Sequence, residues 1–312
     1  MLKALAADAF LLRHRTVVWV VCGVALLAIS VLGGQSIRDM APPSAAELTQ
    51  AQQTYQAKLA EWEAEHEQWE RACIEDGGSH EQCAVPRPTP ESYQPWQADY
   101  RIASGITILV AAALLAVTMY VVGALYVGGD FASGAMTTWL THQPRRMVLT
   151  VSKLTTVGVL SLVAGVLVFG VLLIALNLAA RAWQVPVTQD HLVGSLISAG
   201  RGTLLVMLGG LIGASAAFIT RRSAVAIGMA AVYTLLNRVT VSLNIGTGAA
   251  PALDLITQAQ AWVGGGTTLT YWDNGMFQEL RLNPTLGGVI WGVLSTVMLI
   301  AALLTQRFRD PQ

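Results

Sequence analysis

The sequence predicts an all-α polytopic membrane protein. Of its 312 residues, 54% are hydrophobic and only 12% charged, about half the charged fraction of an ordinary soluble domain. The apolar residues gather into six runs long enough to cross a bilayer, which takes about 20 residues of helix. A soluble globule of this length would need many more solvated side chains, so that class is excluded. Lys plus Arg number 19 and Asp plus Glu 19, which excludes a polyelectrolyte that holds nucleic acid through net charge. The informative quantity is where each sign lies.

Residues 1–15 place Leu2, Leu5, Ala6, Ala9, Phe10 and Leu12 at near-helical spacing, with Lys3, Asp8 and Arg13 elsewhere on the circumference. That pattern predicts an amphipathic cytoplasmic helix lying along the inner membrane surface. The first span is 16–34, read as an uncleaved anchor because its apolar run is long and no A-x-A site follows it. The other spans are 102–127, 148–180, 202–220, 223–243 and 286–305, and a tail occupies 306–312. The third run is longer than a membrane needs, so its first turns are read as a cytoplasmic extension that enters lipid after Lys153.

Charge sets the orientation. Lys3, Arg13, Arg15, Arg145, Arg146, Lys153, Arg221, Arg222, Arg307 and Arg309 fall in short segments on one face, which makes that face cytoplasmic. Of the acidic residues, only Asp8, Asp130 and Asp310 fall with them. The protein is therefore expected in the bacterial cytoplasmic membrane, multi-pass, with both termini cytoplasmic.

Residues 35–101 form the one large polar region and are read as an extracellular helical domain. Pro42-Pro43 precedes Ser44, a suitable N-cap. Tyr55, Leu59, Trp62, His66 and Trp69 then recur in alternating steps of four and three, a helical stripe that needs a partner surface. Its expected partner is a neighbouring subunit or the chain's own return segment. Cys73 and Cys83 flank the turn-forming Gly77-Gly78-Ser79 in a compartment where disulfides persist, so they are expected to be bonded. Cys22 lies inside the first span and reads as a small buried side chain.

Residues 244–285 are too apolar for an ordinary extracellular loop. A short helix from Ala252 to Trp262, dipping into the outer interface as a re-entrant element, would satisfy the backbone there. Arg201 and Arg238 lie near the outer ends of spans four and five. A charge at such a depth snorkels or lines an aqueous path, and Asn237 and Arg238 are the candidate pathway residues. Gly209, Gly213 and Ala217 recur every four positions and permit close helix approach.

Catalytic patterns are missing. The chain's lysines, Lys3, Lys58 and Lys153, follow Leu2, Ala57 and Ser152, so no glycine-lysine phosphate loop exists. Neither HEQWE at 66–70 nor HEQC at 80–83 satisfies H-E-x-x-H, and G-x-S-x-G is absent. No catalytic residue, metal ligand set or bound cofactor is expected.

The most specific stretch is GGDFASGAMTTWLTHQPRRMVLTVSKL, residues 128–154. Within its loop, 128–147, Phe131, Met136, Trp139 and Leu140 supply apolar anchors for a docking knob. Asp130 is expected to favour the N-terminus of the knob's short helix, and Pro144 to end it ahead of Arg145. The order of Asp130, Gly134, Pro144, Arg145 and Lys153 resembles that of ABC-2 type permeases, the transmembrane subunits of ATP-binding-cassette exporters. This sequence has Asp where Glu is usual and Gly134-Ala135 where Gly-Thr is common.

The resemblance implies an ABC-2/ABCG-like exporter permease fold with six transmembrane helices. It also implies a second permease copy, two separate ABC ATPase subunits that carry the ATP and Mg, and surrounding membrane lipid. Residues Asp130, Phe131, Gly134, Met136, Trp139, Pro144 and Arg145 would then couple hydrolysis to export of an amphipathic compound, peptide or lipid. The competing class is a membrane sensor or scaffold whose extracellular domain binds a partner.

Overall fold

A computed structural model describes residues 16–135, 146–242, 254–273 and 276–308. The amphipathic segment at 1–15, Met136, Trp139, Pro144, Arg145 and the tail from 309 onward lie outside the described residues. The protein is a multi-pass bundle of long apolar helices. In chain order these are α1 (Thr16–Asp39), α2 (Ala45–Glu75), α3 (His80–Cys83), α4 (Tyr100–Ala132), α5 (Arg146–Ala182), α6 (Gln189–Thr220), α7 (Ser223–Ser242), α8 (Leu255–Gly264) and α9 (Pro284–Phe308). A hairpin of β1 (Thr267–Asp273) and β2 (Met276–Leu282) separates α8 from α9. Helices α1, α4, α5, α6 and α9 are long and apolar enough to cross a membrane, while α7 offers the shorter apolar run Ser223–Asn237.

Local chemistry fixes the helix ends. Asp99 caps α4 by accepting from the Ile102 N–H at 2.7 Å, and Thr188 caps α6 by accepting from the His191 N–H at 3.3 Å. At the other end of α6, Arg221 adopts φ 58° and turns the chain directly into α7. The turn nests against α4: a Cβ on Gly128 would stand 2.5 Å from the Ser223 nitrogen.

Helices α4 and α6 run parallel through the centre. The repeat seen in the sequence is the seam, because Gly209 and Gly213 face the Ala116 and Tyr120 carbonyls with no room for a side chain and Ala217 is fully buried. Such residues let backbones approach, and dispersion then acts over the whole contact. Helix α5 runs antiparallel to α6, with Gly165 against Thr203 and the Phe169 ring over Gly202. Helix α1 buries only a narrow line, Val18, Ala25, Ile29 and Gly33. Cys22 beside that line is half-buried, less enclosed than its apolar setting in the sequence suggested.

The outer faces remain apolar. Leu27 of α1 is 69% exposed and Val171 of α5 is 66% exposed. Continuous apolar surface on that scale needs hydrocarbon or a partner protein around it.

The insertion between α1 and α4 is built on α2, which has no buried residue. Ser44 and Glu47 form a reciprocal capping box, each side chain accepting from the other's backbone N–H. The aromatic stripe packs on the return segment. The Trp62 indole donates to the Val85 carbonyl at 3.1 Å, the Val85 N–H donates to Glu70 at 3.2 Å, and Tyr55 meets Tyr93 with ring centroids 6.0 Å apart. Trp62 stacks on His66 at 3.9 Å, while Trp69 stays 65% exposed.

A disulfide joins Cys73 to Cys83, with Gly78 so close that a Cβ would collide with both sulfurs. Replacing both cysteines by Ser is expected to cost about 2 to 3 kcal/mol of the insertion's stability, the loop-closure value for a short loop. The check is hydrogen exchange, which should rise across 84–93 and stay unchanged in α4 and α6.

The segment before α9 departs from the expected short helical, re-entrant element. Helix α8 spans Leu255–Gly264 rather than Ala252–Trp262, and it ends where Gly265 and Gly266 take positive φ values of 81° and 124°. The chain then forms an antiparallel hairpin from Thr267↔Leu282 to Asp273↔Met276. In β1 Thr268 and Thr270 alternate with Leu269 and Tyr271, and in β2 Leu280 and Leu282 flank Arg281, a β pattern rather than a helical one.

Candidate functional site

The candidate site lies where α4 ends and α5 begins, on either side of residues 136–145. Asp130 sits in the last turn of α4 and is 2% exposed; Lys153 sits two turns into α5 and is fully buried. The Lys153 ammonium donates directly to Asp130 Oδ2. The Tyr126 ring, one turn earlier on α4, faces the same ammonium with its centroid 4.6 Å from Nζ, within cation–π range. Each partner answers the cost of burying the other, since an isolated charge in an apolar interior is penalised by several kcal/mol.

This overturns the expected role of Asp130. It is not at the N-terminus of a following helix but at the negative, C-terminal end of α4, where a carboxylate is unfavourable unless a cation offsets it. Lys153, expected as the point of entry into lipid, is that cation. The pairing joins residues 23 apart in sequence, and sequence reasoning named both without bringing them together. Opposite charges at facing ends of successive apolar runs were the available signal.

Around the pair the end of α4 is closely held. Phe131 is half-buried and meets the Phe218 ring of α6 edge-on, centroids 6.1 Å apart. Ser133 closes α4, with its N–H donating to the Gly129 carbonyl at 3.0 Å. Gly134 then takes φ 69°, a left-handed turn that only glycine adopts without strain. This end of α4 is therefore the base from which residues 136–145 follow in sequence. Of the predicted coupling residues, Asp130, Phe131 and Gly134 share this base.

The candidate pathway residues lie elsewhere. Asn237 is partly buried on α7, and the Arg238 side chain lies outside the described residues. The preceding turn and a half of α7, residues 231–236, is exposed throughout. Helix α7 is tied to α4 by the Tyr120 hydroxyl, which donates to the Ala226 carbonyl at 2.6 Å. Helix α4 leaves Ile102, Ile106 and Val117 exposed, so α1, α4 and α7 all present uncovered apolar surface.

Arg201 is half-buried and does not stand alone. Its Nη1 donates to the Trp262 carbonyl at 3.2 Å, placing a cation at the C-terminal end of α8, where the dipole favours it. Among the described residues, no group of three or more His, Cys, Asp or Glu is arranged to hold a metal ion. No family model, curated protein or solved structure matches the chain.

Proposed function

We propose that the protein is the six-span permease subunit of an ABC-2 type exporter, with α7 as the fifth span. On this reading residues 136–145 and both termini are cytoplasmic, the α2 insertion is extracellular, and two separate ATPase subunits supply the energy. Substrates held between two permease copies would be amphipathic compounds, peptides or lipids. The observation that carries the proposal is the buried Asp130–Lys153 pair. It fixes α4 to α5 at the base of 136–145, so a push on that segment would act on two spans at once rather than be lost in a loose loop.

Three further observations support it. No lysine follows a glycine in the sequence, so the standard phosphate loop would have to be a partner's. The disulfide lies on the side assigned as extracellular. The bare faces of α1, α4 and α7 suit a shared path between copies.

The test is Trp139→Ala, made in protein co-expressed with an ABC ATPase that co-purifies with the unsubstituted chain. Removing an aromatic anchor from a docking contact costs about 2 kcal/mol or more, so ATPase association should weaken about 30-fold, with membrane insertion normal. Full ATPase binding and full export by that variant would overturn the proposal.

A further inference from the structure

Helix α8 and the adjoining half of α7 are joined very differently from α8 and its other neighbours. Helix α8 beds into α9: a Cβ on Gly287 would stand 2.3 Å from the Gln258 carbonyl oxygen, and one on Gly288 would stand 2.8 Å from the Trp262 indole nitrogen. The Trp291 indole of α9 also donates to the Leu255 carbonyl at 3.1 Å, and Arg201 of α6 holds the opposite end. Gln258 and Ala261 are fully buried.

Toward α7 there is no comparable packing among the described residues. Among these, the hydrogen-bonded tie runs through one phenol. The Tyr233 hydroxyl donates to Asp254 Oδ1 at 3.0 Å and accepts the Leu255 N–H at 3.0 Å. Asp254 is itself the N-cap of α8, accepting from the Thr257 N–H and hydroxyl at 2.8 Å. Around Tyr233, Val232, Leu235 and Leu236 are 56%, 66% and 58% exposed, so apolar contact adds little to this joint.

We infer that the Tyr233–Asp254–Leu255 hydrogen bonds form a latch. Closed, the latch keeps the C-terminal half of α7 beside α8. Open, it lets that half swing out while α8 stays seated on α9 and α6. Two hydrogen bonds to a single hydroxyl are a small holding contribution, whereas the close packing around Gly287 is a large one. The inference does not depend on what the protein carries.

Paired spin labels in nanodiscs test it, in a Cys22→Ser background with the disulfide intact. Labelled protein is diluted into an excess of unlabelled protein so that distances within one copy are read. One pair, Leu236→Cys with Val289→Cys, spans α7 and α9; the other, Gln260→Cys with Val289→Cys, spans α8 and α9. Tyr233→Phe removes the hydroxyl alone. It should lengthen and broaden the first distance by roughly 5 Å, about half the usual separation of packed helix axes, and leave the second unchanged. Asp254→Asn keeps the cap but weakens the acceptor; it should shift the first distance less, in the same direction, and it carries the test should the Phe variant not fold. An unchanged first distance in whichever variant is recovered overturns the latch. Equal movement of both distances also overturns it, because the hydroxyl would then be supporting α8 itself.

Discussion

Replacing Lys153 by Ala is expected to destabilise the bundle by about 3 to 5 kcal/mol, the usual cost of breaking a buried ion pair from one side. The damage comes less from the lost attraction than from what remains. Asp130 would lose its ammonium partner in a site with 2% exposure, at the negative end of α4 and beside the Tyr126 ring face. Asp130→Ala should cost a similar amount, because it takes the carboxylate away from a fully buried ammonium. Together, Lys153→Met and Asp130→Leu should restore most of the loss, because well-packed apolar residues in place of such a pair are often neutral or stabilising. Equilibrium unfolding in mixed micelles measures all four proteins side by side. A cost below about 1 kcal/mol for Lys153→Ala would mean that water or lipid headgroups reach the pair and that it does not fix α4 to α5. The double variant also tests the coupling proposal: a folded bundle that binds ATPase but no longer exports would place the pair's value in transmission rather than stability.

What the sequence revealed and what it hid follow one physical division. Apolar runs report where a helix meets hydrocarbon but not where it stops being helical. Helix α6 begins at Gln189, well before the span read from 202, since Asp190, His191 and Arg201 dilute the apolar signal without breaking a helix. The four-residue repeat of Gly209, Gly213 and Ala217 was legible as close packing, because the absence of side chains is a property of the sequence. Its partner, α4, was not. The stripe from Tyr55 to Trp69 likewise declared a need for cover, and the cover is the extended return through Val85 and Tyr93. The Asp130–Lys153 pair was hidden because its partners lie on different helices across a loop. The hairpin was missed although Asn274-Gly275 between alternating residues is a strong turn signal; overall apolarity outweighed it and suggested short helices.

The second large effect separates glycines that look alike in sequence. Gly213→Ala is expected to destabilise by about 1 to 3 kcal/mol, the range for overpacking a filled interior. Its new methyl group would stand 2.0 Å from the Tyr120 carbonyl oxygen and 2.7 Å from the carbonyl carbon. Those are backbone atoms of α4, which cannot rotate aside as a side chain would, so the two central helices must move apart along their seam. Separation would also loosen Gly209 against Ala116 and Gly123 against Gly210, which share that seam. Gly170 of α5, by contrast, has nothing within 4 Å of the corresponding position. Gly170→Ala should therefore stabilise, by about 0.5 to 1 kcal/mol, because alanine loses less backbone entropy in a helix interior. Opposite signs from the same chemical change, measured side by side as unfolding midpoints, would establish α4 against α6 as the rigid axis on which the other helices move. If Gly213→Ala is as well tolerated as Gly170→Ala, the two helices are not in backbone contact, and α4 cannot pass a displacement at Asp130 directly to α6.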